Sequence, residues 1–233
     1  MLRVKQWLTD FSLLLFPHHC AGCGSDLLQQ DQSICHNCYT NLPETGFAPH
    51  AGNPIEKIFY GRADVHEAMA GYYFTKQSAL QHIIHALKYK NNTEAGLQMG
   101  RWMGLQLNNS NRFKHLDALI SLPLFPEKEK KRGYNQAAVL CEGISEIINV
   151  PVVNNFVIRK RYTDTQTKKG RSERWANVDG SFEVTPHHPL TGKRVLLVDD
   201  VITTGATLEA CGAAVTETGT KLSIAVLAWA SDD

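Results

Sequence analysis

The chain has 233 residues and a formal net charge of +1. At about 150 residues per domain, this length predicts one full domain and a small addition. Because 43% of the residues are hydrophobic and 20% are charged, the composition excludes collagen-like, low-complexity and wholly disordered proteins. The near-neutral charge excludes a nucleic-acid binder that is basic over its whole surface, so any basic region must be local.

The N-terminal residues, up to Phe16, predict an amphipathic helix that ends before Pro17 and packs on the main domain. The apolar residues that recur at helical spacing are Trp7, Leu8, Phe11, Leu14 and Leu15. Docking on a membrane surface is the alternative, but the segment lacks the basic face of such helices. No apolar run approaches the roughly 20 residues of a membrane-spanning helix, and no signal-peptide cleavage site precedes the cysteines. We therefore expect a cytoplasmic protein with reduced thiols.

Four of the six cysteines form two Cys-x-x-Cys pairs within a short polar segment. The pairs are Cys20 with Cys23 and Cys35 with Cys38. Two such loops can direct four thiolates at one tetrahedral zinc ion, and a closed four-sulfur site leaves no position for water. The spacing therefore predicts structural zinc. The alternatives are a redox pair, unrelated core cysteines, or a site in which His18, His19 or His36 replaces a thiolate.

Residues 18–50 contain too few apolar side chains for a core of their own, so bound metal would supply much of their folding free energy. A stretch with proline and glycine at 43–54 predicts a linker. We therefore divide the chain into an amphipathic helix with a zinc-ribbon-like four-cysteine module at 1–50 and a main domain at 51–233.

The main domain alternates predicted strands and helices. The predicted strands or extended runs lie at 71–74, 116–122, 152–158, 194–198 and 222–229. The predicted helices lie at 80–87, at 94–107, between a loop at 123–133 and about residue 148, and at 208–218. This alternation is typical of the α/β class, with a mostly parallel sheet covered by helices.

Residues 195–207 combine an apolar strand, the carboxylates of Asp199 and Asp200, and a small turn rich in threonine directly before a helix. Backbone N–H groups at the helix N-terminus can hold a phosphate, and Gly205 lets the backbone approach it closely. Ligands of open α/β sheets bind at the carboxyl ends of strands, where carboxylates accept hydrogen bonds from ribose hydroxyls or meet magnesium through water. Ordinary helix capping explains one threonine, not the whole segment.

This segment resembles the signature with which phosphoribosyltransferases bind 5-phosphoribosyl-1-pyrophosphate (PRPP). The resemblance implies that Asp199 and Asp200 bind the ribose hydroxyls, while the turn holds the 5′-phosphate. The turn residues so assigned are Thr203, Thr204, Gly205, Ala206 and Thr207. It also implies a type I phosphoribosyltransferase fold, with a mostly parallel sheet, flanking helices and a hood, and Mg²⁺ bound together with PRPP.

The chain also resembles the ComF family over nearly its whole length. Besides the cysteine pairs, the matching segments are Leu87-Lys88-Tyr89, Arg132-Gly-Tyr-Asn-Gln136, and Thr163-x-x-Gln166 with Arg171, Arg174 and Asn177. One departure is Lys169, where many relatives carry leucine.

Two cationic segments suit a pyrophosphate. The loop at 123–133 carries four basic residues beyond a predicted strand end and could receive pyrophosphate; they are Lys128, Lys130, Lys131 and Arg132. The resemblance also puts the pyrophosphate-binding loop here, with Lys130, Lys131 and Arg132 as its residues, and a solvated surface loop is the alternative. Residues 159–174 carry seven basic and two acidic side chains and resemble the hood that closes over the reaction centre. The catalytic residues so implied are Lys168, Lys169, Arg171 and Arg174.

ComF relatives are linked to natural transformation, so the resemblance implies a PRPP-binding protein that handles single-stranded DNA during DNA uptake. The implied partners are single-stranded DNA, which Tyr162 and Trp175 could stack against, and a ComFA-type helicase. The alternative is an active phosphoribosyltransferase of nucleotide or small-molecule metabolism with no DNA role. The sequence offers no evident general base and no motif for an acceptor. Because residue 2 is leucine rather than a nucleophilic cysteine, the chain is not by itself a glutamine amidophosphoribosyltransferase.

Overall fold

The computed structural model describes residues 19–26, 28, 32–160, 180–186 and 190–231. Its strands are β1 (Val65–Tyr73), β2 (Ala118–Ser121), β3 (Val157–Arg159), β4 (Phe182–Val184), β5 (Arg194–Ile202) and β6 (Lys221–Trp229). Its helices are α1 (His36–Thr40), α2 (Pro54–Phe59), α3 (Ala79–Tyr89), α4 (Thr93–Asn109), α5 (Pro126–Arg132), α6 (Gln136–Ile148) and α7 (Ala206–Thr216).

A four-stranded sheet in the order β1-β6-β5-β2 forms the centre of the main domain. All three of its strand pairs are parallel, so the carboxyl ends of the strands meet at one edge. Strands β3 and β4 form a separate antiparallel pair. The predicted α/β class, with a parallel sheet flanked by helices, is confirmed.

Helices cover both faces of the sheet, because neighbouring side chains along a buried strand point in opposite directions. On β5, Leu196 packs with α3, α4 and α6, while Leu197 packs with α2 and α7. Close approach fixes α6 against α4: a Cβ added at Gly100 would lie 2.5 Å from the carbonyl oxygen of Leu140. This contact holds in place the helix that begins beside the carboxyl edge.

The four-cysteine segment packs on the helices of the main domain. Its Ile34 and Leu42 belong to the same buried cluster as Leu80 of α3, and the rings of Tyr39 and Trp102 stack with centroids 4.1 Å apart. These contacts agree with the expectation that the segment lacks a separate core. The division of the chain at residue 50 stays a prediction.

Three sequence expectations need correction. The first strand, predicted at 71–74, begins at Val65 instead, because β6 pairs with it along this length. The predicted loop at 123–133 contains α5, which starts with Pro126 in its first turn and ends at Gly133, whose φ of 84° is left-handed. Acidic residues in the first turn of α5 and basic ones in the last also favour a helix. Strand β5 does not stop at Val198 but continues through both aspartates to Ile202, because β6 pairs with it along this length.

Some predicted features lie outside the described residues. They are the helix of the first sixteen residues, together with Tyr162, Lys168, Lys169, Arg171, Arg174 and Trp175. Among the helices that are described, none is long and apolar enough to cross a membrane.

Candidate functional sites

A cavity of about 220 Å³ opens at the carboxyl edge of the sheet. Strand β5, the turn after it and the first turn of α7 form one wall, and side chains of α3, α5 and β3 reach it from the other elements. All seven residues predicted to bind PRPP line it, namely Asp199, Asp200, Thr203, Thr204, Gly205, Ala206 and Thr207. Its cationic lining residues are Lys88, Lys128, Arg132 and Arg159.

The turn before α7 has the shape of an anion-binding site. Gly205 begins the helix with a left-handed φ of 77°, and an added Cβ would lie 2.6 Å from Cγ2 of Ile58. Glycine alone relieves both restrictions. No side chain in the described part of the chain caps α7, so the N–H groups of its first turn remain available to a ligand.

The two aspartates differ in their surroundings. The Asp200 carboxylate is nearly buried and forms an ion pair with Lys88, with Nζ and Oδ1 2.8 Å apart. The Asp199 carboxylate accepts a hydrogen bond of 2.8 Å from the backbone N–H of Asp200. Burial, with the neighbouring charge of Asp200, raises the pKa of Asp199 to about 8, although Lys88 and Arg159 act in the opposite direction.

The two ComF-like segments at 87–89 and 132–136 meet in space. The Tyr134 hydroxyl donates a hydrogen bond to the carbonyl oxygen of Leu87. The Arg132 guanidinium lies 5.5 Å from the ring centroid of Tyr89. Asn135 caps α6 by accepting the N–H of Ala137 at 2.9 Å. These contacts join α3 to the start of α6 and hold Lys88 and Arg132 at the cavity.

The predicted pyrophosphate residues divide into two groups. Arg132 lines the cavity together with Lys128, which lies one helical turn earlier on α5. Lys130 and Lys131 are exposed on α5 and are not among the residues that line the cavity within the described chain. Their role in pyrophosphate binding stays a prediction, as do the catalytic roles assigned to the hood lysines and arginines.

The sequence placed Lys128 in the cationic loop that could receive pyrophosphate, but Lys88 and Arg159 were not selected as site residues. Arg159 ends β3 and stacks on Phe125, with its guanidinium carbon 3.8 Å from the ring centroid. Lys128 and Arg132 are four residues apart and therefore share one face of α5. If residues 126–132 had been predicted as a helix, this spacing would have paired the two side chains. The sequence pointed to Lys88 only through its place in the ComF-like segment at 87–89. Its role at the cavity depends on Asp200, which is distant along the chain.

The four cysteines form a second site. Their Sγ atoms all lie within 4.8 Å of one another, and the Cys20–Cys38 and Cys23–Cys35 pairs are each 3.7 Å apart. Four sulfurs about 2.3 Å from a tetrahedral zinc ion stand about 3.8 Å from one another, so the cluster fits that ion. The predicted cluster is confirmed, and the described histidines are not part of it.

Backbone groups favour thiolates at this cluster. The N–H groups of Gly22 and Cys35 donate to Sγ of Cys20, and that of Cys38 donates to Sγ of Cys35. Burial opposes ionisation of Cys20, but hydrogen bonds from backbone N–H groups outweigh it and lower its pKa to about 6. Burial and the neighbouring sulfurs raise the pKa of Cys38. A divalent cation would stabilise all four thiolates together.

Comparison with known proteins agrees with this arrangement. The Phosphoribosyl transferase domain family matches residues 135–232. Competence protein F of Haemophilus influenzae is 28% identical, over 83% of this chain and 88% of its own. The DNA utilization protein YhgH of Escherichia coli K12 is 27% identical, over 87% and 86%. Competence protein ComFC of Bacillus subtilis is 24% identical, over 85% and 84%. The resemblance predicted from the sequence is confirmed.

Proposed function

We propose that this chain, a ComF-like protein with a phosphoribosyl transferase domain, binds PRPP with Mg²⁺ and acts on single-stranded DNA during DNA uptake. The observation that carries the first half is the meeting of two adjacent carboxylates, an uncapped helix N-terminus and four cations around one cavity. A phosphate, a sugar with vicinal hydroxyls and a pyrophosphate require these three kinds of group.

Each part of PRPP has a matching wall. The 5′-phosphate accepts hydrogen bonds from the first-turn N–H groups of α7 and from Thr203 and Thr204. The ribose hydroxyls donate to Asp199 and Asp200. The pyrophosphate faces Lys128, Arg132 and Arg159, whose positive charges attract its negatively charged oxygens.

Mg²⁺ suits this donor set because carboxylate and phosphate oxygens are its usual ligands. Asp199 and Asp200 would hold it together with oxygens of PRPP, and it would neutralise charge on the pyrophosphate. Before a ligand arrives, Lys88 balances the charge of Asp200 and keeps that carboxylate in place. If pyrophosphate departs, the cations around the cavity stabilise its developing negative charge.

Calorimetric titration of the purified chain with PRPP and Mg²⁺ tests this site. We expect the Asp199→Asn/Asp200→Asn variant and Thr204→Val to lose affinity, by about 1.5–3 kcal/mol for each charged hydrogen bond removed. Asp117→Asn is the matched control, because Asp117 lies just before β2 and binds the N–H of Arg194 at the opposite end of the sheet. Unchanged affinity in both site variants would exclude the PRPP site.

The names of the relatives and the cations that line the cavity support the DNA half of the proposal. Cations there lie against aromatic rings: Arg132 on Tyr89, which is 66% exposed, and Lys128 and Arg159 on Phe125. Proteins that bind single-stranded nucleic acid combine cations for the phosphates with rings on which bases stack. The implied ComFA-type helicase partner belongs to the same proposal.

Paired lysine and arginine variants on α5 separate this proposal from a purely metabolic transferase. Gel-shift titrations across salt concentrations should give a slope of log affinity against log salt that is shallower by about 0.7 for each DNA phosphate that a variant no longer neutralises. We expect Lys128→Ala/Arg132→Ala to flatten the slope. Lys130→Ala/Lys131→Ala, which removes equal charge from the same helix, should not. The metabolic transferase would be favoured by two results together. The salt slopes of the two variants would be equal, and the chain would release pyrophosphate from PRPP when a small-molecule acceptor is present.

A further inference from the structure

We propose that Arg62 is a positioning residue for the phosphate-binding turn, an inference that rests on the proposed PRPP site. Arg62 follows α2 and lies outside the matched domain at 135–232. Its Nη1 donates to the carbonyl oxygen of Thr204 at 3.2 Å and to that of Ile58 at 3.1 Å. Its Nη2 forms an ion pair with the carboxylate of Glu209. One guanidinium therefore joins α2, the turn and the first part of α7.

The first consequence concerns the orientation of one peptide group. In a trans peptide the carbonyl of Thr204 and the N–H of Gly205 point in opposite directions. Because Arg62 holds that carbonyl, the direction of the Gly205 N–H is also held, and both residues line the cavity. The same α2 end supplies Ile58, whose Cγ2 excludes any Cβ at Gly205. Ile58 and Arg62 thus support the turn from the same side.

The second consequence is electrostatic. Glu209 lies in the first turn of α7, the helix whose N-terminus would face the phosphate. An unpaired carboxylate at this place would repel a phosphate dianion, because like charges at short range disfavour each other. The side chains of Arg62 and Glu209 are only 28% and 25% exposed, so solvent screens the pair incompletely. Arg62 therefore removes a charge that opposes the ligand.

Two ligands that use different walls test this role. Ribose 5-phosphate requires the turn, whereas pyrophosphate requires the cations of α3, α5 and β3. We expect Arg62→Ala to weaken ribose 5-phosphate about tenfold, as expected when one charge-assisted hydrogen bond is removed, and to leave pyrophosphate affinity unchanged within about twofold. Arg101→Ala is the control, because Arg101 pairs with Glu94 and Glu146 on α4 and α6 instead.

Two further variants separate orientation from charge. Arg62→Gln keeps donors for the carbonyl groups but leaves Glu209 unpaired, while Arg62→Ala/Glu209→Gln removes the unpaired charge without restoring the donors. We expect each to bind ribose 5-phosphate more tightly than Arg62→Ala and less tightly than wild type. If wild type binds neither PRPP nor ribose 5-phosphate, the proposed function fails. If wild type binds both, either of two results overturns the positioning role. One is that Arg62→Ala and Arg62→Gln bind ribose 5-phosphate with the same affinity as each other. The other is that these variants weaken pyrophosphate binding as much as they weaken ribose 5-phosphate binding.

Discussion

The four-cysteine site and the cavity at the sheet edge differ in how far apart along the chain their groups lie. The cysteines lie within one short segment, and two tight loops bring their sulfurs to 3.7 Å in two pairs. The cavity gathers groups from α3, α5, β3, β5 and α7. A local site depends on its own few residues, whereas a long-range site depends on the packing of every element that reaches it. The two sites should therefore respond differently to mutation.

Removal of one cysteine should have the largest effect. We expect wild type to contain one zinc ion per chain and Cys35→Ser to contain none, because a closed site needs all four ligands. Much of the order of residues 32–42 should disappear with the metal, while the parallel sheet stays folded. Metal analysis with hydrogen exchange measures both.

The control for that experiment is Cys211→Ala, which removes a buried thiol of α7 and should leave zinc content unchanged. A wild-type chain that is free of metal yet protected from exchange in the cysteine segment would contradict the zinc site.

A pair of glycine variants tests the cavity with a smaller effect. Gly205→Ala and Gly133→Ala both place alanine at a left-handed φ, which costs about 1–2 kcal/mol. Only the Cβ at position 205 also meets a neighbour, Cγ2 of Ile58 at 2.6 Å, whereas none lies within 4 Å at position 133. Chemical denaturation should show the larger decrease in stability for Gly205→Ala.

PRPP affinity should separate the same two variants further. We expect Gly205→Ala to weaken binding strongly, because the turn must shift to relieve the close approach, and Gly133→Ala to do so much less. Equal weakening would mean that the turn does not bind the ligand.

The last prediction concerns pH, for which we state only the direction of the effect. The pKa of Asp199 is raised from 3.8 to about 8, so the folded chain without ligand binds more protons than the unfolded chain between those values. Its free energy of unfolding should therefore fall as pH rises through this range. Asp199→Asn should lack this contribution, and denaturation at pH 5 and pH 8 measures the difference. The same pH trend in both proteins would contradict the raised pKa.

The outcome of sequence reasoning follows the same contrast. Alternating apolar segments predicted the α/β sheet, because strand and helix periodicities are local properties. The cysteine spacing predicted the whole cluster. The residues assigned to PRPP within the segment at 195–207 all line the cavity. From β5, the turn and α7, the lining residues that were not assigned are Val201, Ile202 and Leu208. The cations were predicted less well, since only Arg132 of the three chosen basic residues lines the cavity.

The sequence by itself determined the chemistry of both sites: four thiolates at fixed short spacing, and two carboxylates followed by a glycine-containing turn and a helix. The tertiary structure decided which distant side chains serve them. It brought Lys88 to Asp200 and Arg62 to the carbonyl of Thr204, 142 residues further along the chain. No local pattern encodes such pairs, because they depend on how helices pack on both faces of the sheet and on which faces they turn toward its carboxyl edge.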